Sequence, residues 1–273
     1  MTAPVQTWSG PLGELRAAST AGGGTALTTT AALVALPDGV AHLICMPTNF
    51  ATAKVVKMAL NPYLSVLVTP DNLTTETDYS QVAQDGDTTT LVDISALNTL
   101  ANGDYLLVGS FLPFRGVGVT ITNANAVAST LAVKYWNGAW TAVAGLTDGT
   151  ASAGATMAVS GNVTFTVPTD WTRVDLDGMG VTVGGTIKQR GAQLYWLQLS
   201  VSAQLTNPTK ASAILALNRS TKYGEFLSGQ VIEEAVTKDL VPHGVACIEA
   251  LTDAGTANLI VNVRSRYGAG FLS

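Results

Sequence analysis

The stretch Leu131-Ala-Val-Lys-Tyr-Trp136-Asn137-Gly138-Ala-Trp140-Thr-Ala-Val143 decides the fold class. Apolar and aromatic residues alternate on both sides of an Asn-Gly pair. This predicts two antiparallel strands joined by a two-residue type I′ turn at Asn137-Gly138. In that register Tyr135 faces Trp140, and Val133, Tyr135, Trp140 and Ala142 share one face of the hairpin. The period of two recurs downstream. Val163, Phe165 and Val167 alternate with Thr164 and Thr166, and Tyr195, Leu197, Leu199 and Val201 alternate with Trp196, Gln198, Ser200 and Ser202. Both segments are expected as half-buried antiparallel strands.

Dense turn residues separate short Val-, Thr- and Leu-rich runs through the rest of the chain. The expected class is therefore mostly β: antiparallel β-sandwich or jelly-roll-like domains with few short helices. Asp93 to Asn102 is expected as a short helix or a turn of helix, capped at Asp93 or Ser95, with Leu97 and Leu100 spaced along it and Gly103 past its end. Thr52 to Leu60 is expected as strand, while Val231 to Leu240 is open between strand and helix.

Leu36-Pro-Asp-Gly-Val-Ala41 is echoed by Val241-Pro-His-Gly-Val-Ala246, each a turn that launches a short apolar strand. The echo suggests a body of residues 25–100 together with 205–263, interrupted by residues 101–204 as an inserted sandwich. A plain succession of two domains is the rival. Residues 1–24, ending in Gly22-Gly23-Gly24, show no periodicity and are expected as an N-terminal arm, with 264–273 as a C-terminal tail. Trp8, Leu12, Phe271 and Leu272 are the candidate docking residues for neighbouring subunits, against the plainer alternative of frayed ends.

Composition narrows the function. The 273 residues carry 14 basic and 19 acidic side chains, a net charge of −5, which supplies no cationic patch for nucleic acid. Only 12% of residues are charged, about half the usual share, so Thr, Ser, Asn, Gly and Ala must make up much of the surface. Such a surface is covered by a partner at little desolvation cost. No apolar run approaches the roughly 18–20 residues of a membrane helix, and Met1 to Gly24 lacks a secretory pattern, so cytoplasmic synthesis and no membrane partner are expected. Two cysteines are too few for a disulfide framework.

The chain announces no reaction. His42 with Cys45 and His243 with Cys247 suggest a Cys2His2 metal site, but on a strand residues 42 and 45 face opposite ways, so neither metal nor cofactor is expected. A Cys45–Cys247 disulfide is conceivable if the two turn-strand units are neighbours. Two histidines and no Gly-x-Ser-x-Gly elbow argue against a serine hydrolase. Asp170, Asp175 and Asp177, Glu233 with Glu234, and Asp85-Gly-Asp87 are the carboxylates that glycosidase or calcium chemistry could use, and each has the simpler reading of a turn or a strand. Gly22-Gly-Gly-Thr and Gly178-Met-Gly180 lack the Lys-Ser/Thr of a phosphate loop. Trp136, Trp140, Trp171 and Trp196 either close a core or, if exposed, stack on sugar rings.

An ordered series within the central third adds a resemblance. It runs Gly103-Asp-Tyr-Leu-Leu-Val-Gly-Ser110, Phe114-Arg-Gly-Val117, Lys134-Tyr-Trp-Asn-Gly-Ala-Trp140, Thr147-Asp-Gly-Thr150, Ser160-Gly-Asn-Val-Thr-Phe165, Pro168-Thr-Asp-Trp171 and Tyr195-Trp-Leu-Gln-Leu-Ser200. Over about residues 100–205 this resembles a β-sandwich module of tailed-bacteriophage virion structural proteins, from which the loop Asp177 to Gly191 departs. The resemblance implies no catalysis and carries over no binding residues. With the missing chemistry it leads to an expected non-enzymatic virion component made in a host cytoplasm. The expected role is a capsid decoration or cement protein that binds the major capsid protein as a homo-oligomer, with a trimer as the expected state. A tail or head–tail connector protein and a host-glycan-binding module are the alternatives.

Overall fold

The structure is a computed structural model that describes residues 7–9, 14–18, 24–36, 40–53, 55–69, 77–99, 103–180, 191–217, 230–233, 238–240 and 244–265. Among the described residues it is mostly β, with 57% in antiparallel strands, no barrel and no helix of seven residues or more. In chain order the strands begin with β1 (Thr7–Ser9), β2 (Glu14–Ala18), β3 (Thr25–Leu27), β4 (Ala32–Ala35), β5 (Val40–Ala51), β6 (Val55–Pro62), β7 (Leu64–Thr69) and β8 (Thr77–Asp78). They continue with β9 (Val92–Asp93), β10 (Tyr105–Ser110), β11 (Gly116–Asn123), β12 (Leu131–Trp136), β13 (Trp140–Ala142), β14 (Ala144–Asp148), β15 (Gly161–Thr166) and β16 (Arg173–Val174). The last are β17 (Leu194–Val201), β18 (Lys210–Leu217), β19 (Gln230–Glu233), β20 (Lys238–Leu240), β21 (Val245–Thr252) and β22 (Thr256–Ser265).

Two compact units share the chain: Pro62–Gln84 with Thr88–Arg219, and Ala3–Asn61 with Asp85–Asp87 and Ser220–Ser273. The interrupting segment is thus longer than the expected 101–204. It begins at Pro62 because β7 pairs with β10, and ends at Arg219 because β18 pairs with β11.

In the first unit, one sheet has the order β13-β12-β17-β10-β7-β8 with β16 beside β17, and the other has β14-β15-β11-β18-β9. Leu106, Val108, Val133, Leu197 and Leu199 from one sheet meet Val117, Val119, Val163, Ile214 and Ala216 from the other in a single buried cluster. This is a sandwich core built by period-two alternation. The second unit repeats the scheme, with sheet orders β1-β2-β22-β5-β20, where β3 also pairs β22, and β19-β6-β21-β4. Leu43, Cys45, Leu259 and Val261 pack there against Val34, Val56, Met58 and Ile248.

Several local expectations are corrected. The 131–143 hairpin has a three-residue loop: Trp136 pairs with Trp140 and Tyr135 with Thr141. A type I′ turn needs positive φ at both central residues, and only Gly138, at 104°, has it. The Asn137 side chain is committed elsewhere: its amide donates to Asp170 Oδ2 at 2.8 Å and its oxygen accepts from Thr141 Oγ1 at 3.1 Å. The extra residue moves Trp140 to the face opposite Tyr135, where it meets Trp136 edge-on with ring centroids 5.4 Å apart.

β17 is buried on both faces rather than half-buried. Trp196 is fully enclosed and joins Leu67, Leu107, Leu176 and Leu194 on the side away from the sandwich core. Its cross-strand partner is Gly109, and a Cβ there would lie 2.7 Å from the indole. The described part of the expected helix, residues 93–99, is not helical, and 100–102 lie outside the described residues. Asp93 ends β9 and its carboxylate takes the Ser95 amide and hydroxyl, turning the chain so that Ile94 and Leu97 are buried. Among the described residues the one helical turn is a 3-10 turn at Val82–Gln84. Most of Thr52 to Leu60 is strand as expected, in β6 from Val55, and β19 and β20 make residues 231–233 and 238–240 strand. Parts of the expected arm, β1 and β2, are sheet strands, and Arg264 and Ser265 belong to β22 rather than to a tail.

One side chain ties the first sandwich together. The Trp171 ring contacts Phe114, Tyr135, Phe165 and Tyr195, with centroids 5.2, 6.3, 6.0 and 5.6 Å away. Its indole N–H donates to the Trp196 carbonyl at 3.2 Å. Truncation leaves a cavity and an orphan carbonyl, so Trp171→Ala is expected to cost about 3–5 kcal/mol. Urea unfolding followed by the remaining tryptophans checks this, and a loss below about 1 kcal/mol would contradict the central role of the ring.

Candidate functional site

The register brings one end of the first sandwich into view. Tyr195 pairs with Ser110 and Arg173, Tyr135 pairs with Leu197, and Thr172 N donates to the Trp136 carbonyl at 3.1 Å. The 110–114 turn, the 137–139 loop and the Pro168–Trp171 turn therefore lie at the same end. Phe111 and Leu112 project from it, 58% and 47% exposed, the most exposed large apolar residues among those described. The half-buried Trp136 and Trp140 flank the hairpin loop. Arg173 lies over the Tyr195 ring at 5.9 Å.

Asp170 stitches this end to the core. It accepts from Tyr135 Oη at 2.9 Å and from the Asn137 amide. Those two donors, Asn137 first, hold its carboxyl below the usual range, and the same bond to Asp170 pushes the Tyr135 phenol up. Asp175 Oδ1 accepts from Gly178 N at 2.7 Å and Asp85 Oδ1 from Asp87 N at 2.8 Å, so both cap turns. Asp177 follows in the same turn as Gly178, Glu233 lies on β19, and Glu234 is outside the described residues. Among the described residues, Asp85, Asp170, Asp175 and Glu233 thus lie on separate turns and strands. Among the described residues no three His, Cys, Asp or Glu side chains converge as metal ligands.

His42 is exposed and Cys45 buried on opposite faces of β5, while His243 lies outside the described residues. Cys45 and Cys247 are both buried, and neither is in a disulfide. The conceived disulfide fails on geometry. Cys45 faces the core that its sheet shares, whereas Cys247 alternates with the core residue Ile248 and so faces away from it.

Trp171 and Trp196 are buried, which leaves Trp136 and Trp140 as the tryptophans with accessible surface at this end. Of the docking candidates, Trp8 lies on β1, paired with Ala17. Leu12, Phe271 and Leu272 lie outside the described residues.

Two features escaped the sequence reading. The first is the Phe111-Leu112 projection; the signal available was two large apolar residues ahead of Pro113, between strand-like runs. The second is a buried polar group on the side of β21 that faces away from its core, where the Asn61 amide meets Glu249 Oε2 at 3.4 Å next to Cys247. A glutamate two residues from a cysteine inside Val245-Ala-Cys-Ile-Glu-Ala-Leu251 was the cue, since both share one face of a strand. Burial is the main cause that pushes the Cys247 thiol up to about 12.

Set beside protein-family models, curated proteins and solved structures, the chain matches none.

Two measurements check this description. A carboxylate with a depressed folded-state pKa stabilises the fold above its unfolded value, and that contribution is lost as pH falls through the folded value. The gap in thermal midpoint between the native chain and Asp170→Ala should therefore hold from neutral pH down to about pH 5 and narrow below about pH 4. A gap that widens on acidification would contradict the assignment. A thiol with so high a pKa is almost wholly protonated at pH 8, so Cys247, like the enclosed Cys45, should resist iodoacetamide until the chain is unfolded. Mass spectrometry of the alkylated protein reads this directly.

Proposed function

We propose that this chain is a non-enzymatic virion structural protein of a tailed bacteriophage. Its role is that of a capsid decoration or cement protein that binds the major capsid protein as a homo-oligomer and stabilises the head. The observation that carries the proposal is the Phe111-Leu112 projection on an all-β body with only 12% charged residues. Adjacent large apolar side chains held out by a turn are the kind of anchor that protein contacts use, and neutral polar surroundings are covered without desolvating ions. At this end Asp170 accepts from Tyr135 and Asn137, and Asp175 caps the turn at Gly178, so both have a structural use. The resemblance of residues 100–205 to virion sandwich modules supplies the setting. Trp8, Leu12, Phe271 and Leu272 remain further docking candidates. Binding to the assembled shell, not to isolated subunits, would make the shell the stabilised species.

Particles lacking the protein should retain heads that lose DNA more readily on heating, as seen by electron microscopy. Intact heads with a missing tail or connector part would move the assignment there. The double variant Phe111→Ser with Leu112→Ser should keep its unfolding midpoint yet bind particles about 10–100-fold more weakly, and unchanged retention would dismiss this projection as the contact. No glycan-array signal that depends on Trp136 and Trp140 is expected. A signal lost in Trp136→Ala with an unchanged fold would favour host recognition instead.

A further inference from the structure

Asn137 is followed by Gly138, and glycine has no side chain to hinder its own nitrogen. An Asn-Gly pair is therefore open to spontaneous loss of ammonia. The Gly138 nitrogen attacks Asn137 Cγ, the new N–Cγ bond replaces the Cγ–Nδ2 bond, and ammonia leaves with the proton that the nitrogen gives up. Water then opens the resulting succinimide at either carbonyl, to aspartate or to isoaspartate. Crowding does not prevent the attack in this fold. Gly138 is exposed, its φ is 104°, and nothing lies within 4 Å of where a Cβ would stand.

The attack makes Cγ tetrahedral and expels Nδ2, and both ends of that amide are tied. Nδ2 donates to Asp170 Oδ2 at 2.8 Å and to Tyr135 Oη at 3.4 Å, while Oδ1 accepts from Thr141 Oγ1 at 3.1 Å. The Asp170 carboxylate is itself held by Tyr135 Oη at 2.9 Å, on a ring that is buried. Succinimide formation gives up the bond to Asp170 outright and disturbs the one from Thr141. The bond to the ionised Asp170 is the stronger of the two.

The product cannot restore what is lost. An aspartate at 137 sets a carboxylate where the amide now meets Asp170, so a hydrogen bond is exchanged for repulsion between like charges. Isoaspartate adds a backbone carbon to the three-residue loop as well. Either product parts the 137–139 loop from the Pro168–Trp171 turn.

We infer that Asn137 is a covalent modification site, converted to aspartate or isoaspartate with release of ammonia, and that Asp170 and Thr141 gate it. The amide is kept while both bonds hold, and it reacts once either is released. This goes beyond the function proposed above and holds whatever the chain binds.

The test incubates the folded native chain, Thr141→Val and Asp170→Ala near pH 8, beside the native chain in urea. Peptide mapping by mass spectrometry follows conversion at residue 137. In urea, Asn137 and Asn102, each followed by glycine, give the ungated rate. The folded native chain should convert Asn137 at least about tenfold more slowly, with Thr141→Val raising that rate about threefold to tenfold and Asp170→Ala at least about tenfold. Equal rates in the folded and unfolded native chain overturn the gate. An unchanged rate in Thr141→Val also overturns it, because valine keeps the shape of the side chain and removes the donor. If near-UV circular dichroism shows Asp170→Ala to be unfolded, Thr141→Val decides alone. Asn137→Asp should lower the thermal midpoint, and lower it less in a chain that already carries Asp170→Ala. No drop, or the same drop in both backgrounds, overturns the repulsion that makes the conversion one-way.

Discussion

The indole of Trp171 is the constraint from which the first sandwich follows. Burying the ring is favourable, but its N–H must keep a partner. The Trp196 carbonyl supplies one, so the side chain is pinned to β17, a strand of the seven-stranded sheet. Pinning the ring fixes the preceding Pro168–Asp170 turn, and Asp170 then captures Tyr135 and Asn137. Asn137 held in this way cannot serve a two-residue turn. The hairpin therefore carries a three-residue loop and turns Trp136 and Trp140 together. A ring in the core dictates, through four hydrogen-bonded or packed steps, what the surface presents.

The acidic residues show a second economy. Asp78, Asp93 and Asp148 each accept both the backbone N–H and the hydroxyl of the residue two positions on, Ser80, Ser95 and Thr150. Asp148 also takes the Thr156 hydroxyl at 2.6 Å, and the buried Asn125 amide stitches Val127, Ser129 and Thr156 at the same end of the unit. These turn acceptors stay at the surface, with Asp78 exposed and Asp93 and Asp148 partly so, and their negative ends are satisfied by local donors. A neutral exterior meets partners without the desolvation penalty that an ionic one carries.

What could be read from residues alone depended on the range of the interaction that decides each feature. Period-two alternation is local, so the sandwich class and β6 were legible. The 137–139 loop was not, because the deciding contact is with Asp170, far along the chain. The leucines and cap at 93–102 imitate a helix start, but β9 pairs with β18 through Asp93 and Lys210, and the Asp93 side chain then turns the backbone. Alternation made β17 look one-sided, since Gln198 and Ser200 are polar. Burial of Trp196 over Gly109 on their face shows that polar residues can be enclosed as well. Strands β1 and β2 lacked any period because three-residue contacts with an edge demand no amphipathic pattern. The disposition of the candidate carboxylates was legible as turns, whereas the Phe111-Leu112 projection depends on which turn residues fail to fold back, and composition does not encode that.

The interrupted topology has a physical consequence for how the second unit closes. β6 must find β19, with Val56 opposite Ile232, across the whole of the first unit. As an unfolded loop that separation carries an entropic cost growing only as the logarithm of its length. The first unit removes much of it. β7 begins opposite Ser110 and β18 ends opposite Gly116, on either side of the 111–115 turn, so the chain enters and leaves that sandwich at one end. Once it has formed, the effective loop shrinks to the short segments flanking it, a saving of about 2 kcal/mol for a tenfold or larger contraction. That is a modest sum against the burial in either core and leaves the final stability little changed. It is enough to favour an order in which the inserted sandwich folds before the sheets of the second unit.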